Sequence, residues 1–396
     1  MLKYLIQGLQ MTAQFFITEL RAISKDAGVL LLFVVAIVAY SIIYSTAYSN
    51  EVLREMPVAV VDQDMSALSR QYSRMVDASE QLDVVKKVMS MHEAEKSFYA
   101  GEVKGVVLIP ADFEKDIYKG VQTSVSIYGD ASYFLVYKQT LSGASFATAT
   151  FSAGVEVKKL LADGARMEQA MSQRDPLSIK TYKLYNPSSG YGSFLMPGLI
   201  LIILQQTLLI GIGMIGGTRK ERFSNHYKLP KGLQKGQIAS IIFGKVGAYM
   251  LIYLMDSVFA LILIHYWFGF PDKSNMLNVF ILMIPFLLAV SFLGLAISVL
   301  FKRREHSLMF LLFLSPAVLF LSGLSWPASE IPSFLYTLAH VFPSTLMIPA
   351  YLRLRTMGVG ISDVSFELIF MMGQVVVYFV LAYVAFRYSL KRINRN

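Results

Sequence analysis

Polar and apolar residues in this chain separate on the scale of whole segments. Residues 29–47 carry no charge, residues 48–190 are mostly polar, and from residue 194 five further long apolar runs follow in quick succession. A run of about 20 apolar residues spans the hydrocarbon core of a bilayer, where backbone polar groups must be satisfied within the segment itself. The pattern predicts six membrane-spanning helices in a one-plus-five layout, at 29–47, 194–217, 238–265, 277–301, 308–326 and 368–386. The first is expected to remain as an uncleaved anchor.

Periodicity fills in the remaining segments. Leu2, Leu5, Ile6, Leu9, Phe16, Leu20 and Ile23 recur three and four apart, opposite Gln7, Gln10, Gln14, Arg21 and Lys25, which predicts an amphipathic interface helix over 1–28. Residues 48–190 read as α/β. The β-branched runs Pro57–Val61, Leu82–Val85, Lys104–Ile109 and Ser124–Tyr128 alternate with amphipathic stretches at Ser66–Ala78, His92–Gly101 and Ala111–Lys119. A small mixed or parallel sheet faced by helices is expected, with Ser66 or Asp112 as capping oxygens. One or two long helices should occupy Ala131–Arg174. Between the fifth and sixth spans, residues 327–365 hold Pro327, Pro332, Pro343 and Pro349 among apolar side chains. They predict short re-entrant helices, and irregular backbone at such depth is tolerated where it is buried or lines a cavity.

The composition agrees with this reading. Of 396 residues 55% are hydrophobic and 16% charged, with a mean hydropathy of +0.51. The net charge of +9 lies beside the spans and therefore sets topology; it does not mark nucleic-acid binding. Arg219, Lys220, Arg222, Lys228, Lys231 and Lys235 follow the second span, Lys302–Arg304 follow the fourth, and Arg387, Lys391, Arg392 and Arg395 close the chain. By the positive-inside rule these are cytoplasmic, as are both termini. The expected fold class is an α-helical polytopic inner-membrane protein of six transmembrane helices with an inserted extracytoplasmic α/β domain.

The chemistry missing from the sequence narrows the function. There is no cysteine, and the five histidines are scattered, so no metal site is predicted. No phosphate-cradling loop occurs; Phe243-Gly-Lys-Val246 lacks both the first glycine and the hydroxyl. The acidic pairs Asp62/Asp64 and Glu93/Glu95 have no catalytic partners and read as solvated carboxylates. Ion-coupled carriers need ionisable groups inside the membrane. Here Asp256 is the one acid at mid-span, with Lys245 on the same helix and His265 and Glu367 at outer edges.

Six spans, an external insert after the first and a basic loop after the second resemble the membrane subunit of an ABC type-2 exporter, in its drug-exporter-like branch. Asn186-Pro187 followed by Pro197 and Gly198 is similar to that branch's approach to the second span. Ser322, Gly323, Pro327, Pro332, Pro343 and Arg353 look like its signature after the fifth. Arg219, Lys220, Glu221 and Arg222 resemble the start of its ATPase-coupling loop, here 218–237, while Phe223–Tyr227 depart from the family pattern.

The resemblance implies separate ABC ATPase subunits holding ATP-Mg, with no cofactor on this chain. It also implies a second permease subunit in a homo- or heterodimer, and a periplasmic adaptor is a further candidate partner. The function so implied is export of an amphipathic, drug-like or lipid-like solute. Two alternatives stand at this stage: a membrane-anchored extracytoplasmic binding or scaffold module, and an ion-gradient-driven carrier.

Overall fold

The computed structural model describes residues 2–177, 179–222 and 237–393. The chain divides into two compact units, Met1–Glu51 with Lys183–Asn396, and Val52–Tyr182. The first holds six helices long and apolar enough to cross a membrane. These are TM1 (Ala27–Ala47), TM2 (Tyr191–Arg222), TM3 (Ile238–Phe268), TM4 (Met276–Ser298), TM5 (Arg304–Leu321) and TM6 (Ile361–Ser389). TM5 stops well short of residue 326. The Ser322 hydroxyl bonds Leu319 O at 2.7 Å and Leu324 N at 3.3 Å, and Gly323 turns the chain at φ 81°.

TM2 is the hub of this unit. In its most apolar stretch 89% is buried, against 17% for TM5 and 22% for TM6, so TM2 packs against protein while the other two keep broad apolar surfaces. Its main neighbours are TM1, TM4, TM5 and a short helix after TM5, and it touches TM3 as well. Aromatic packing supports the TM1 contact with TM3, where the Phe33 ring stands edge-on to Tyr249 and Tyr253 at 6.1 and 5.1 Å. Single π-helical turns interrupt TM1 at Leu31–Val35 and TM3 at Phe259–Leu263.

The N-terminal helix α1 (Leu2–Ser24) lies along TM3. Its contact face is formed by Gly8, Thr12, Phe16, Glu19 and Ile23, while Ile6, Leu9 and Ile17 stay exposed. The approach is close enough that a Cβ on Gly244 of TM3 would stand 2.5 Å from Thr12 O.

In the smaller unit β1 (Met56–Asp62) sits between β2 (Leu82–Val88) and β3 (Gly105–Ile109), parallel to both, and β4 (Ser126–Gly129) runs antiparallel on β3. The helices are α2 (Ala67–Asp77), α3 (Met91–Tyr99), α4 (Phe113–Lys119), α5 (Phe134–Ala162) and α6 (Met167–Arg174). Val58, Val60, Val107 and Ile109 pack with Tyr72, Phe113 and Phe151 on one face, while Ala59, Val61 and Val106 pack with Ala94 on the other. Burial on both faces is why β1 is apolar without alternation. Burial also pushes the Tyr72 phenol above its usual pKa, against a 2.7 Å hydrogen bond with Thr148.

Ser66 caps α2, accepting from Ser69 N at 3.0 Å. Asp112 does not cap α4; at φ 60° its carboxylate turns to Lys115, and Asp64 instead accepts from Glu114 N at 3.1 Å. Asp62 likewise accepts from Met65 N at 2.9 Å and Ser69 Oγ at 2.8 Å. This acidic pair therefore shapes the turn and the helix start after β1; it is not a pair of free solvated carboxylates.

Two further helices, α7 (Ser333–Ala339) and α8 (Ser344–Leu352), follow TM5, and α8 continues as a π-turn through Arg353–Met357. Nearly all of α8 is buried within the larger unit, so residues 344–352 are a packed element and not a surface-lying loop.

Replacing Gly244 with Leu should force α1 off TM3 at a cost of about 1–3 kcal/mol. The thermal midpoint of the detergent-solubilised protein should fall, whereas Gly154→Leu inside α5, where a Cβ meets nothing within 4 Å, should not lower it.

Candidate functional site at the basic end of the bundle

Where α1, the end of TM2 and the start of TM3 meet, a carboxylate is buried. Glu19 is 1% exposed, and its Oε2 receives the Lys245 ammonium at 2.9 Å together with the Arg219 guanidinium. Its Oε1 accepts from the Tyr249 hydroxyl. Lys245 and Tyr249 lie one turn apart on TM3, so a single helix face presents both donors. A buried carboxylate is tolerated when charge and hydrogen bonds are both satisfied, and this arrangement satisfies both.

Adjacent residues of TM2 reach other helices. Lys220 Nζ donates to Val299 O at the end of TM4, using a carbonyl the helix leaves unpaired. Glu221 Oε1 accepts from Arg304 N at 2.7 Å and so caps TM5. The Arg304 guanidinium forks onto Asp26 at 3.1 and 3.3 Å. Asp26 in turn caps TM1 through Gly28 N at 3.1 Å and Val29 N at 3.3 Å. Only glycine fits at 217, since a Cβ there would lie 2.6 Å from the Arg303–Arg304 backbone.

Of the four residues singled out from the sequence, Arg219, Lys220 and Glu221 thus join TM2 to α1, TM3, TM4 and TM5, while Arg222 is exposed. The rest of the basic loop, Phe223–Tyr227 with Lys228, Lys231 and Lys235, lies outside the described residues, as does Arg395. Sequence reasoning missed Glu19 and Tyr249. A signal existed: Glu19 shares the helical spacing of Thr12, Phe16 and Ile23, and Lys245 inside an apolar run demands an acid.

The remaining sequence-predicted residues gather at the other end. The Asn186 side chain closes a turn through Gly190 N at 3.1 Å and Gly190 O at 2.9 Å, with Pro187 inside it. TM2 then begins under Glu51, which accepts from Ser193 N at 3.2 Å and Ser193 Oγ at 2.7 Å. Pro197 is buried inside TM2, and Gly198 leaves room for Leu324, tying this segment to the Ser322–Gly323 turn. Pro327 precedes a 3-10 turn, while Pro332 and Pro343 immediately precede α7 and α8. Gln205 of TM2 accepts from Ser344 N at 2.8 Å and so holds the start of α8.

Ion pairs secure the far side of α8. Arg353 pairs with Glu367, and the buried Arg355 meets Asp272 at 2.6 Å and Tyr351 Oη at 2.8 Å. Among the described residues no group of three or more acidic or histidine side chains is placed to hold a metal ion.

Comparison with known proteins adds two findings. The chain matches the family model described as ABC-2 family transporter protein over residues 27–384, which takes in five of the six spans whole and all but the end of TM6. It is also similar to the linearmycin resistance permease protein LnrN of Bacillus subtilis (strain 168), 21% identical over 320 residues that cover 78% of this chain and 81% of that protein.

Removing the shared acid should destabilise the junction strongly. Glu19→Ala leaves two cations without it and should cost about 3–5 kcal/mol, read as a lower thermal midpoint of the solubilised protein. Adding Lys245→Met should recover part of the loss, because one uncompensated charge goes with it.

Proposed function

The chain belongs to the ABC-2 family of transporter proteins, and on that premise we propose that it is the permease subunit of an ATP-driven exporter. The solute is an amphipathic, drug-like or lipid-like molecule, moved out of the cytoplasm or the inner leaflet. In this reading the basic end and both termini face the cytoplasm, and the unit Val52–Tyr182 lies outside. Two ATPase subunits bind ATP-Mg, and a second permease, identical or related, completes the membrane body. A periplasmic adaptor is a further partner of the external unit.

The observation that carries the proposal is the junction at residues 219–221. A coupling loop must pass a displacement at the ATPase into several spans at once. Arg219 connects to α1 and TM3 through Glu19, Lys220 to TM4, and Glu221 to TM5, from which Arg304 reaches TM1. A shift of the TM2 end is therefore shared by the other spans it touches; it is not absorbed in a free loop. At the opposite end the Gly198–Leu324 contact and the Gln205–Ser344 bond attach the proline-rich segment to the same helix. In this reading TM2 acts as a shaft between a cytoplasmic coupling point and an outer gate at Ser322–Pro343. A relative named as a linearmycin resistance permease is in keeping with outward transport.

Solubilised protein should bring down an ATPase subunit, and efflux should stop when that subunit's phosphate-binding lysine is changed. Efflux that persists and collapses with an uncoupler would instead favour a gradient-driven carrier. Within this chain, Glu221→Ala should reduce substrate-stimulated ATP hydrolysis while the protein still inserts; unchanged stimulation would refute its coupling role.

A further inference from the structure

Shortly before TM2 the chain carries apolar side chains that the described residues leave uncovered. Ile179 is 91% exposed, Tyr182 76% and Leu184 69%, and Lys180 and Lys183 are exposed between them. A single exposed apolar residue is ordinary on a surface in water, but three within six residues form a patch of the kind that meets a partner. The segment is neither helix nor strand, so it has no packed face of its own to hide them.

The larger unit marks where the bilayer surface lies at this end. The protein has two tryptophans, and both fall here: Trp267 at the end of TM3 and Trp326 just beyond TM5, each 58% exposed, with Tyr266 83% exposed beside the first. Spans alternate in direction, so the ends of TM3 and TM5 share a side with the start of TM2. Tyrosine and tryptophan gather at the membrane–water interface, and these rings therefore mark the level of the lipid head groups.

Tyr185 is held at that level. The ammonium of Lys273, in the connection between TM3 and TM4, stands 5.7 Å over its ring, and the Lys273 N–H is fixed to Arg355 O at 2.8 Å. Tyr182 precedes Tyr185 by three residues and Ile179 by six, which is at most about 10 and 20 Å of extended chain. Both are thus within reach of the surface.

The chemistry of the segment suits a lipid head-group layer. Lysine stems run along apolar surface while the ammonium stays among phosphates, and a tyrosine places its ring in the apolar boundary with its hydroxyl in water. Irregular backbone exposed to lipid is forbidden in the hydrocarbon core, where its polar groups would go unpaired, but not in the hydrated layer above it. Side chains can therefore enter the boundary while the backbone stays wet.

We propose that residues 179–184 lie in the lipid head-group layer beside the start of TM2, with Ile179, Tyr182 and Leu184 inserted at the acyl boundary. The link from the unit Val52–Tyr182 into TM2 is then anchored to lipid and does not swing freely in water. This goes beyond the exporter reading and needs only that TM2 cross the bilayer.

The chain has no cysteine, so single labels can be placed without background. Ile179→Cys and Tyr182→Cys would each carry a bimane in the full-length permease, reconstituted in nanodiscs of phosphatidylcholine and phosphatidylglycerol. The discs would hold acyl chains either plain or brominated near the head group, and a bimane-labelled lipid in the same discs sets the scale of full quenching. Bromine quenches on contact. Emission from both positions should fall about twofold in brominated discs, and iodide in solution should quench both several times more weakly than free dye. Labels that ignore bromine and meet iodide freely would overturn the proposal, because the segment would then lie in water. Labels shielded from both quenchers would overturn it as well, since a second copy or another protein would be the cover.

Discussion

The larger unit depends on one electrostatic constraint: the carboxylate of Glu19 is buried where water cannot solvate it, and two cations from different helices must meet it there. Charges removed from water are tolerated only when geometry and hydrogen bonding compensate for lost hydration. Arg219, Lys245 and Tyr249 supply that compensation, and in doing so they specify how α1, TM2 and TM3 approach each other. Apolar packing alone is less selective, since lipid tails are as apolar as leucine.

The same logic recurs at both ends of TM2. Polar groups at helix ends need partners, and here the partners come from other segments of the larger unit. Glu221 caps TM5, Lys220 closes the end of TM4, Glu51 caps the start of TM2 and Gln205 holds the start of α8. Close approach makes these bonds reachable, which is why Gly198, Gly217 and Gly244 stand where a Cβ would collide. A helix so tied is fixed to its neighbours at both ends and along its length.

Much of this was legible in the chain. The six apolar runs overlap the six long helices because hydrocarbon thickness imposes a length that composition cannot disguise. Helix ends were less legible. TM5 ends at Leu321 and not at 326, because a serine hydroxyl and a left-handed glycine stop it inside a run that is still apolar. Asp112 looked like a cap, yet its backbone turns left-handed and Asp64 takes the role across the fold. At the junction, Arg219–Glu221 could be singled out from their place after the second span, whereas Glu19 on the amphipathic helix was not.

The sequence by itself determined that this is a multi-pass membrane chain of the ABC-2 kind, because apolar length and the order of short motifs are local properties. Only the tertiary structure decided which charges are paired. Glu19 meets Arg219 across 200 residues and Asp26 meets Arg304 across 278, separations over which no periodicity carries information. Asp256 shows the converse. Its mid-span position is plain in the sequence, but the absence of a partner among the described residues becomes visible only when the surrounding helices are in place.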